Sequence, residues 1–365
     1  MLQTECIGTQ AGRSAEDVRA WIVGELSRSL NVEPCSIDTA APLVTLGVNS
    51  LAAIGMTGGL ASWLGRDLPA TLMWDYPSID AIAEGLAESD APAETAHPGI
   101  YDLQPQGDRR PLFCLPAVDG HPITFAALAA HLGPTQPCYG LVTPGFNGER
   151  EPLTRVEDIA AVMLQSIRQV QPKGPYQLVG YSFGGLLAYE IAQQLTAVGE
   201  SVSMLAIYDT YTPAGRTKRP RWQRLGLHAY LMATQPGLFQ YLRTHFKNRR
   251  RTLEVEKIVN EVDAANNFVY TPKSRDMNIG LVNSRAANSY RPRPYAGSLL
   301  LLRAAERDRY NVFYRVEETN GWSALVGGGV RVIDVPGTHW NLINAANAGT
   351  AAEALRPHLS DETLV

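Results

Sequence analysis

The chain has 365 residues, 45% hydrophobic and 19% charged, which is the composition of a soluble globular protein of two or three domains and not of a disordered or fibrous one. No apolar run is long enough to span a bilayer, the N-terminus lacks a basic start and apolar core, and no nucleic-acid motif is present, so neither membrane nor nucleic acid is expected as a partner. The formal net charge of −4 conceals an acidic first quarter: residues 1–90 carry 12 Asp+Glu against 4 Lys+Arg, and the remainder is mildly basic.

Residues 1–90 predict a small α-helical bundle. Ser14 is placed to cap a helix whose Val18, Trp21, Ile22, Leu26 and Leu30 share one face. After a loop rich in Pro and Asp, a second helix is expected from Ser50 to Leu64, weakened by Gly58 and Gly59. Ser78 caps a last helix with Ile79, Ile82 and Leu86 turned inward. Cys6, Cys35, Cys114 and Cys138 have no metal-type spacing, so no metal site is expected, and reduced thiols in a cytoplasmic protein are the simpler reading.

Residues 91–108 read as a linker, with some order near Ile100 and Tyr101. From 109 to 365, apolar runs at 111–116, 138–143, 176–182, 204–210, 298–304 and 330–337 alternate in the early part with helical patterns at 122–132, 156–171 and 183–198. That alternation predicts a doubly wound, mostly parallel sheet. Residues 211–295 break the rhythm and read as a helical lid insertion. Between Pro213 and Arg251 there are ten Lys+Arg and no Asp or Glu. Trp222, Leu225, Leu231, Leu238, Tyr241 and Leu242 are interleaved there, predicting lid helices with an apolar underside, and Arg249, Arg250 and Arg251 are candidates to dock the acidic first domain.

Two serines stand out. "GYSFG" (180–184) fits G-x-S-x-G between a predicted strand and a predicted helix, a sharp turn that lifts Ser182 into the open and leaves no room for bulk at Gly180 or Gly184. His339, in the loop after the last strand, is the expected base, because ligands gather at the carboxyl ends of parallel strands. His121, just after the first strand, is the lesser candidate. The acid is Asp209 or Asp308, each at a strand carboxyl end and not separable by placement alone. Asp334 lies inside a strand and reads as structural.

The stretches "LFCLPAVDG", "YQLVGYSFGGLLAYEIAQQL", "LAIYDTYTP", "YRPRPYAGSLLLLRA" and "VPGTHWNLI" resemble the type I thioesterase domains that end polyketide and non-ribosomal peptide synthases. The resemblance implies an α/β-hydrolase fold over 109–365, a Ser182–His339–Asp209 triad, and an oxyanion hole from the amides of Phe183 and Val118. An acid near Asp308 would instead match the discrete editing thioesterases.

"LGVNSL" and "WLGRDLPATLMWDYPSIDAIAEGL" resemble acyl carrier domains, which implies 4′-phosphopantetheine carried covalently on Ser50. Asn49 stands where that family usually has Asp, so one charge near the attachment site is lost. Together these imply an enzyme that moves an acyl chain from the arm on Ser50 to Ser182 and releases it by hydrolysis or cyclisation. The implied partners are upstream synthase modules, a phosphopantetheinyl transferase and the acyl substrate. The alternatives are a discrete esterase or editing hydrolase, and a non-catalytic acyl delivery module.

Overall fold

The computed structural model describes residues 13–30, 32–41, 43, 46, 56–57, 59–61, 63–64, 68, 72–76, 78–88, 99–146, 150–212, 215–234, 272–306 and 314–359. The chain divides into two compact units, Met1–Ala96 and His97–Val365. Ser50, Asn49, Cys6, Asp308 and Arg249–Arg251 fall outside the described residues, as does much of the expected lid.

The first unit is helical, as expected. Helix α1 (Ala15–Leu30) begins at a reciprocal cap: the Asp17 amide donates to Ser14 Oγ at 3.2 Å, and the Ser14 amide donates back to Asp17 Oδ2 at 2.9 Å. α2 (Leu72–Asp75) and α3 (Ile79–Glu88) follow, the latter capped by Ser78, whose Oγ accepts from the Ala81 amide at 3.3 Å. Val18, Ile22 and Leu26 of α1 are buried with Ile79, Ile82 and Ala83 of α3, the i, i+4 and i+3 spacings that put side chains on one helix face. Arg19 ties α1 to α3 by a hydrogen bond to Asp80 that holds that carboxyl below its ordinary range. Trp21 lies half-buried, its indole passing the Cβ position of Gly59 at 3.0 Å. The glycine that weakened the helix prediction makes room for a tryptophan.

The second unit carries a seven-stranded sheet in the order β1-β3-β2-β4-β5-β7-β9. Its strands are β1 (Ile100–Gln104), β2 (Leu112–Leu115), β3 (Cys138–Leu141), β4 (Tyr176–Tyr181), β5 (Val202–Tyr208), β7 (Leu299–Ala304) and β9 (Val330–Val335). β1 runs antiparallel to β3 and all other pairs are parallel. The central strands β2 and β4 are buried along their whole length, as apolar runs covered on both faces must be. Helices α4 (Ala126–Leu132), α5 (Val156–Val170), α6 (Phe183–Ala197) and α9 (Ala348–Leu355) pack on the sheet. α5 and α6 belong to the core that holds Phe113 and Leu178, while α4 and α9 belong to the core that holds Leu112 and Val179. Successive residues of one strand feed opposite faces.

Three features depart from expectation. Ile100–Gln104, read as part of the linker, forms edge strand β1 with Ile100 buried. A two-stranded ribbon of β6 (Arg216–Lys218) and β8 (Tyr314–Val316) was not foreseen. The insertion between β5 and β7 contains α7 (Arg221–Thr234) and α8 (Pro272–Ser289) among its described residues. On α7, Trp222 and Leu225 are 71% and 69% exposed, so the expected apolar underside is not found at these two positions.

Candidate functional site

The sheet register sets the site. Tyr181 of β4 pairs with Tyr208 of β5, so the next residues, Ser182 and Asp209, leave the carboxyl edge of adjacent strands side by side. Ser182 has φ 55° and ψ −114°, a conformation that L-residues avoid unless a tight turn imposes it. The turn is possible because Gly180 and Gly184 lack side chains: a Cβ on Gly180 would overlap the Gly184 carbonyl, and one on Gly184 would overlap that of Leu115. The second clash also shows that the segment after β2 passes directly beside the start of α6.

Three side chains meet at this edge. Ser182 Oγ lies 3.1 Å from His339 Nε2, and His339 Nδ1 lies 2.9 Å from Asp209 Oδ2. Asp209 is 1% exposed and also accepts the Ala304 amide at 3.3 Å through Oδ1. His339 sits four residues past β9 in a loop held by Asn341, whose Oδ1 accepts from the Thr338 amide at 2.6 Å and from Thr338 Oγ1 at 3.0 Å. In this geometry the imidazole can take the serine proton through Nε2 while the carboxylate fixes the tautomer through Nδ1.

The other sequence candidates fall elsewhere. His121 is buried, accepts the Ile123 amide through Nδ1 at 3.2 Å, and packs against Tyr101 and Phe146, not Ser182. Burial pushes its pKa down to about 3. Asp334 forms a two-pronged pair with Arg303, at 2.7 and 3.0 Å, which fits its structural reading.

The two expected oxyanion donors lie on backbone whose other polar groups are engaged. The Ser182 carbonyl, in the same peptide as the Phe183 N–H, accepts from Thr210 Oγ1 at 2.8 Å and from the Gly185 amide at 3.1 Å. The Thr210 carbonyl in turn accepts from the indole of fully buried Trp322 at 2.9 Å. The Ala117 carbonyl, in the same peptide as the Val118 N–H, accepts from the Gly120 amide at 3.0 Å. Because the N–H and C=O of a trans peptide point opposite ways, each turn directs its donor outward. Neither N–H has a partner among the described residues.

Sequence reading missed Thr210 and Tyr181. The Tyr181 ring stacks on His339 with centroids 5.5 Å apart, and its hydroxyl donates to the His339 carbonyl. Burial, then the charge of Asp209, raises the phenol well above its ordinary pKa, so it stays a neutral donor. The only sequence signal was its place beside the serine in "GYSFG".

A mostly parallel α/β sheet with a serine on a strained strand-to-helix turn, an imidazole and a buried carboxylate has the arrangement of a serine hydrolase. Residues 110–359 match the thioesterase domain family, and residues 20–86 match the phosphopantetheine attachment site. The chain belongs to the thioesterase domain family and carries a phosphopantetheine-binding domain ahead of it.

Among curated proteins it is 28% identical over 300 residues to malpinin synthetase of Mortierella alpina, covering 80% of this chain and 4% of that one. It is 29% identical over 349 residues to microperfuranone synthase of Emericella nidulans, covering 90% of this chain and 36% of that one. The chain thus spans a minor part of these relatives. Among solved structures, a four-domain non-ribosomal peptide synthetase, holo-AB3403 bound to AMP and glycine, superposes with a TM-score of 0.56 at 21% identity, covering 98% of this chain and 27% of that one. The NocB thioesterase domain in covalent complex with a fluorophosphonate nocardicin G analog superposes with a TM-score of 0.50 at 24% identity, covering 72% of this chain and 99% of that one. These two likenesses concern the fold. No helix among the described residues is long and apolar enough to cross a membrane.

Proposed function

We propose that the second unit releases an acyl chain borne as a thioester by the first, with Ser182 as nucleophile, His339 as base and Asp209 as its orienting acid. The observation that carries this reading is the Ser182–His339–Asp209 chain of contacts, 3.1 and 2.9 Å, at the carboxyl edge of the sheet. His339 Nε2 takes the Ser182 proton as Oγ bonds to the acyl carbonyl carbon. Negative charge on the carbonyl oxygen is met by the N–H groups of Phe183 and Val118, which act only as that charge develops. Collapse breaks the carbon–sulfur bond, the sulfur leaves with the proton from His339, and the acyl group stays on Ser182. A water, or a hydroxyl or amine of the acyl chain itself, then gives its proton to His339 and attacks the acyl carbon; collapse breaks the bond to Ser182 Oγ, which takes that proton back, so release is hydrolysis or cyclisation.

The arm supplies the thiol that holds the acyl chain. Ser50 offers the hydroxyl for its attachment. The partners of this reading are upstream synthase modules, a phosphopantetheinyl transferase and the acyl substrate, in a cytoplasmic setting, with the insertion after β5 acting as a lid.

Intact mass tests it. With coenzyme A and a transferase the chain should gain one arm, and Ser50→Ala none. A chain charged with an acyl thioester should lose the acyl group with time, whereas Ser182→Ala should keep it. Arm addition to Ser50→Ala, or release by Ser182→Ala at the normal rate, would overturn the assignment.

A further inference from the structure

Helix α8, which ends the insertion, is laid against the turn that carries Val118. A Cβ on Gly120 would stand 2.9 Å from Ile279 Cγ2, the Cβ position of Gly280 faces the Val118 carbonyl at 3.8 Å, and Asn283 Nδ2 donates to that carbonyl at 2.9 Å. Ile279 and Asn283 are one helical turn apart and both are fully buried. A carbonyl only accepts, so the amide nitrogen of Asn283 must be the atom that faces Val118, which turns Oδ1 the other way. Oδ1 is buried and has no hydrogen-bond partner among the described residues. A position selected for packing alone would hold an apolar side chain of similar size and leave no such acceptor stranded. Asn283 keeps that penalty in exchange for one bond, and the bond goes to the Val118 loop.

We propose that Asn283 is a positioning residue that aims the Val118 amide at the oxyanion. The Gly120 amide fixes the peptide plane before Val118, and Asn283 fixes the plane after it. With both planes held, the torsions about Val118, and hence the direction of its N–H, are set. The insertion is therefore part of the reactive site and more than a cover over it. This inference rests on the reading of Ser182 as an acyl-accepting nucleophile.

The test compares the full chain with Asn283→Leu, which is close in size and removes both the donor and the stranded acceptor, and with Asn283→Ala. Turnover of a small soluble acyl thioester, the thermal midpoint, and affinities for a trifluoromethyl ketone analogue and for the product acid are measured. In Asn283→Leu, kcat and kcat/KM should fall together by about 10- to 100-fold, somewhat less than deletion of an oxyanion donor itself costs. Affinity for the ketone, whose adduct bears the oxyanion, should fall by a similar factor, and affinity for the product acid should hold. The thermal midpoint should hold or rise. Turnover within twofold of the wild type, or equal losses for ketone and product, would overturn the proposal; if Asn283→Ala unfolds, the leucine variant decides alone. A wild-type chain that neither turns over the thioester nor is captured at Ser182 by a fluorophosphonate would instead overturn the reading of the site, and this inference with it.

Discussion

Phe183 and Val118 offer equivalent N–H groups, yet the chain holds them by different means. The peptide bearing the Phe183 amide is fixed from within the sheet: its carbonyl takes one bond from Thr210 at the end of β5 and a second from Gly185, and Thr210 is anchored by buried Trp322. The turn bearing Val118 closes on itself through Gly120, whose carbonyl accepts the Thr143 amide at 2.9 Å, while the Val118 carbonyl accepts from Asn283 on the insertion. One side has a backup and belongs to the most buried strands. On the other side, the peptide plane after Val118 is held by one side chain of the insertion. In the proposed reading, the donor beside the nucleophile is tied to the sheet and the second donor is tied in part to the insertion.

The largest effect should come from the sheet side. Asp209→Asn leaves the fold intact but cannot hold His339 in the reactive tautomer, so turnover should fall on the order of 10⁴-fold. Steady-state kinetics on a soluble thioester measures it, and a loss below tenfold would move the acid away from Asp209. Next, Thr210→Val removes one of the two bonds to the Ser182 carbonyl without changing shape. Turnover should drop about three- to tenfold, less than for Asn283→Leu, because Gly185 still holds the peptide. A larger loss in Thr210→Val than in Asn283→Leu would reverse the comparison. Tyr181→Phe keeps the ring stacked on His339 and loses only the bond to its carbonyl, so a change of about two- to fivefold is expected in kcat.

The smallest effect on turnover belongs to His121, beside the Val118 turn. Folding holds its imidazole neutral, with the pKa pushed down to about 3, while in the unfolded chain it titrates near ~6.5. Between those values the unfolded state binds more protons, so stability present above the unfolded pKa is lost as the pH falls from ~6.5 toward ~3. In His121→Gln the thermal midpoint should fall less than in the wild type between about pH 7 and pH 5, with activity near neutrality little changed. An equal fall in both chains would show that His121 does not set the acid limb.

How much of this was legible depended on distance along the chain. The elbow could be read because its glycines, serine and flanking apolar runs lie within a few residues, and His339 because it follows the last strand pattern; strand ends left Asp209 and Asp308 level, and only the family resemblance chose between them. Strand β1 was hidden because "IYDLQ" carries Asp102 and Gln104 at the edge of a Pro-rich stretch, and edge strands lack the continuous apolar run of central ones. The three-residue ribbon of β6 and β8 is too short to show a period. Thr210 and Asn283 gave no signal, and Tyr181 only its place beside the serine, because each acts through a backbone group of a residue remote in sequence. On α7, Trp222 and Leu225 were expected on an apolar underside and are exposed. Periodicity gives a face and leaves open what the face meets.

Among the described residues, Ser182, Asp209 and Asn320 are the non-glycine positions with positive φ, at 55°, 45° and 53°. Two carry the proposed nucleophile and the proposed orienting acid, and the third donates through its side chain to the Thr210 carbonyl at 3.3 Å. Such conformations cost about 1–3 kcal/mol each, which glycine would largely relieve. A screen that rewards heat resistance alone would therefore favour glycine at the very positions whose side chains the site requires. Survivors enriched at 182 and 209 should be sturdier and inert, so any directed evolution of this scaffold has to score turnover in every round.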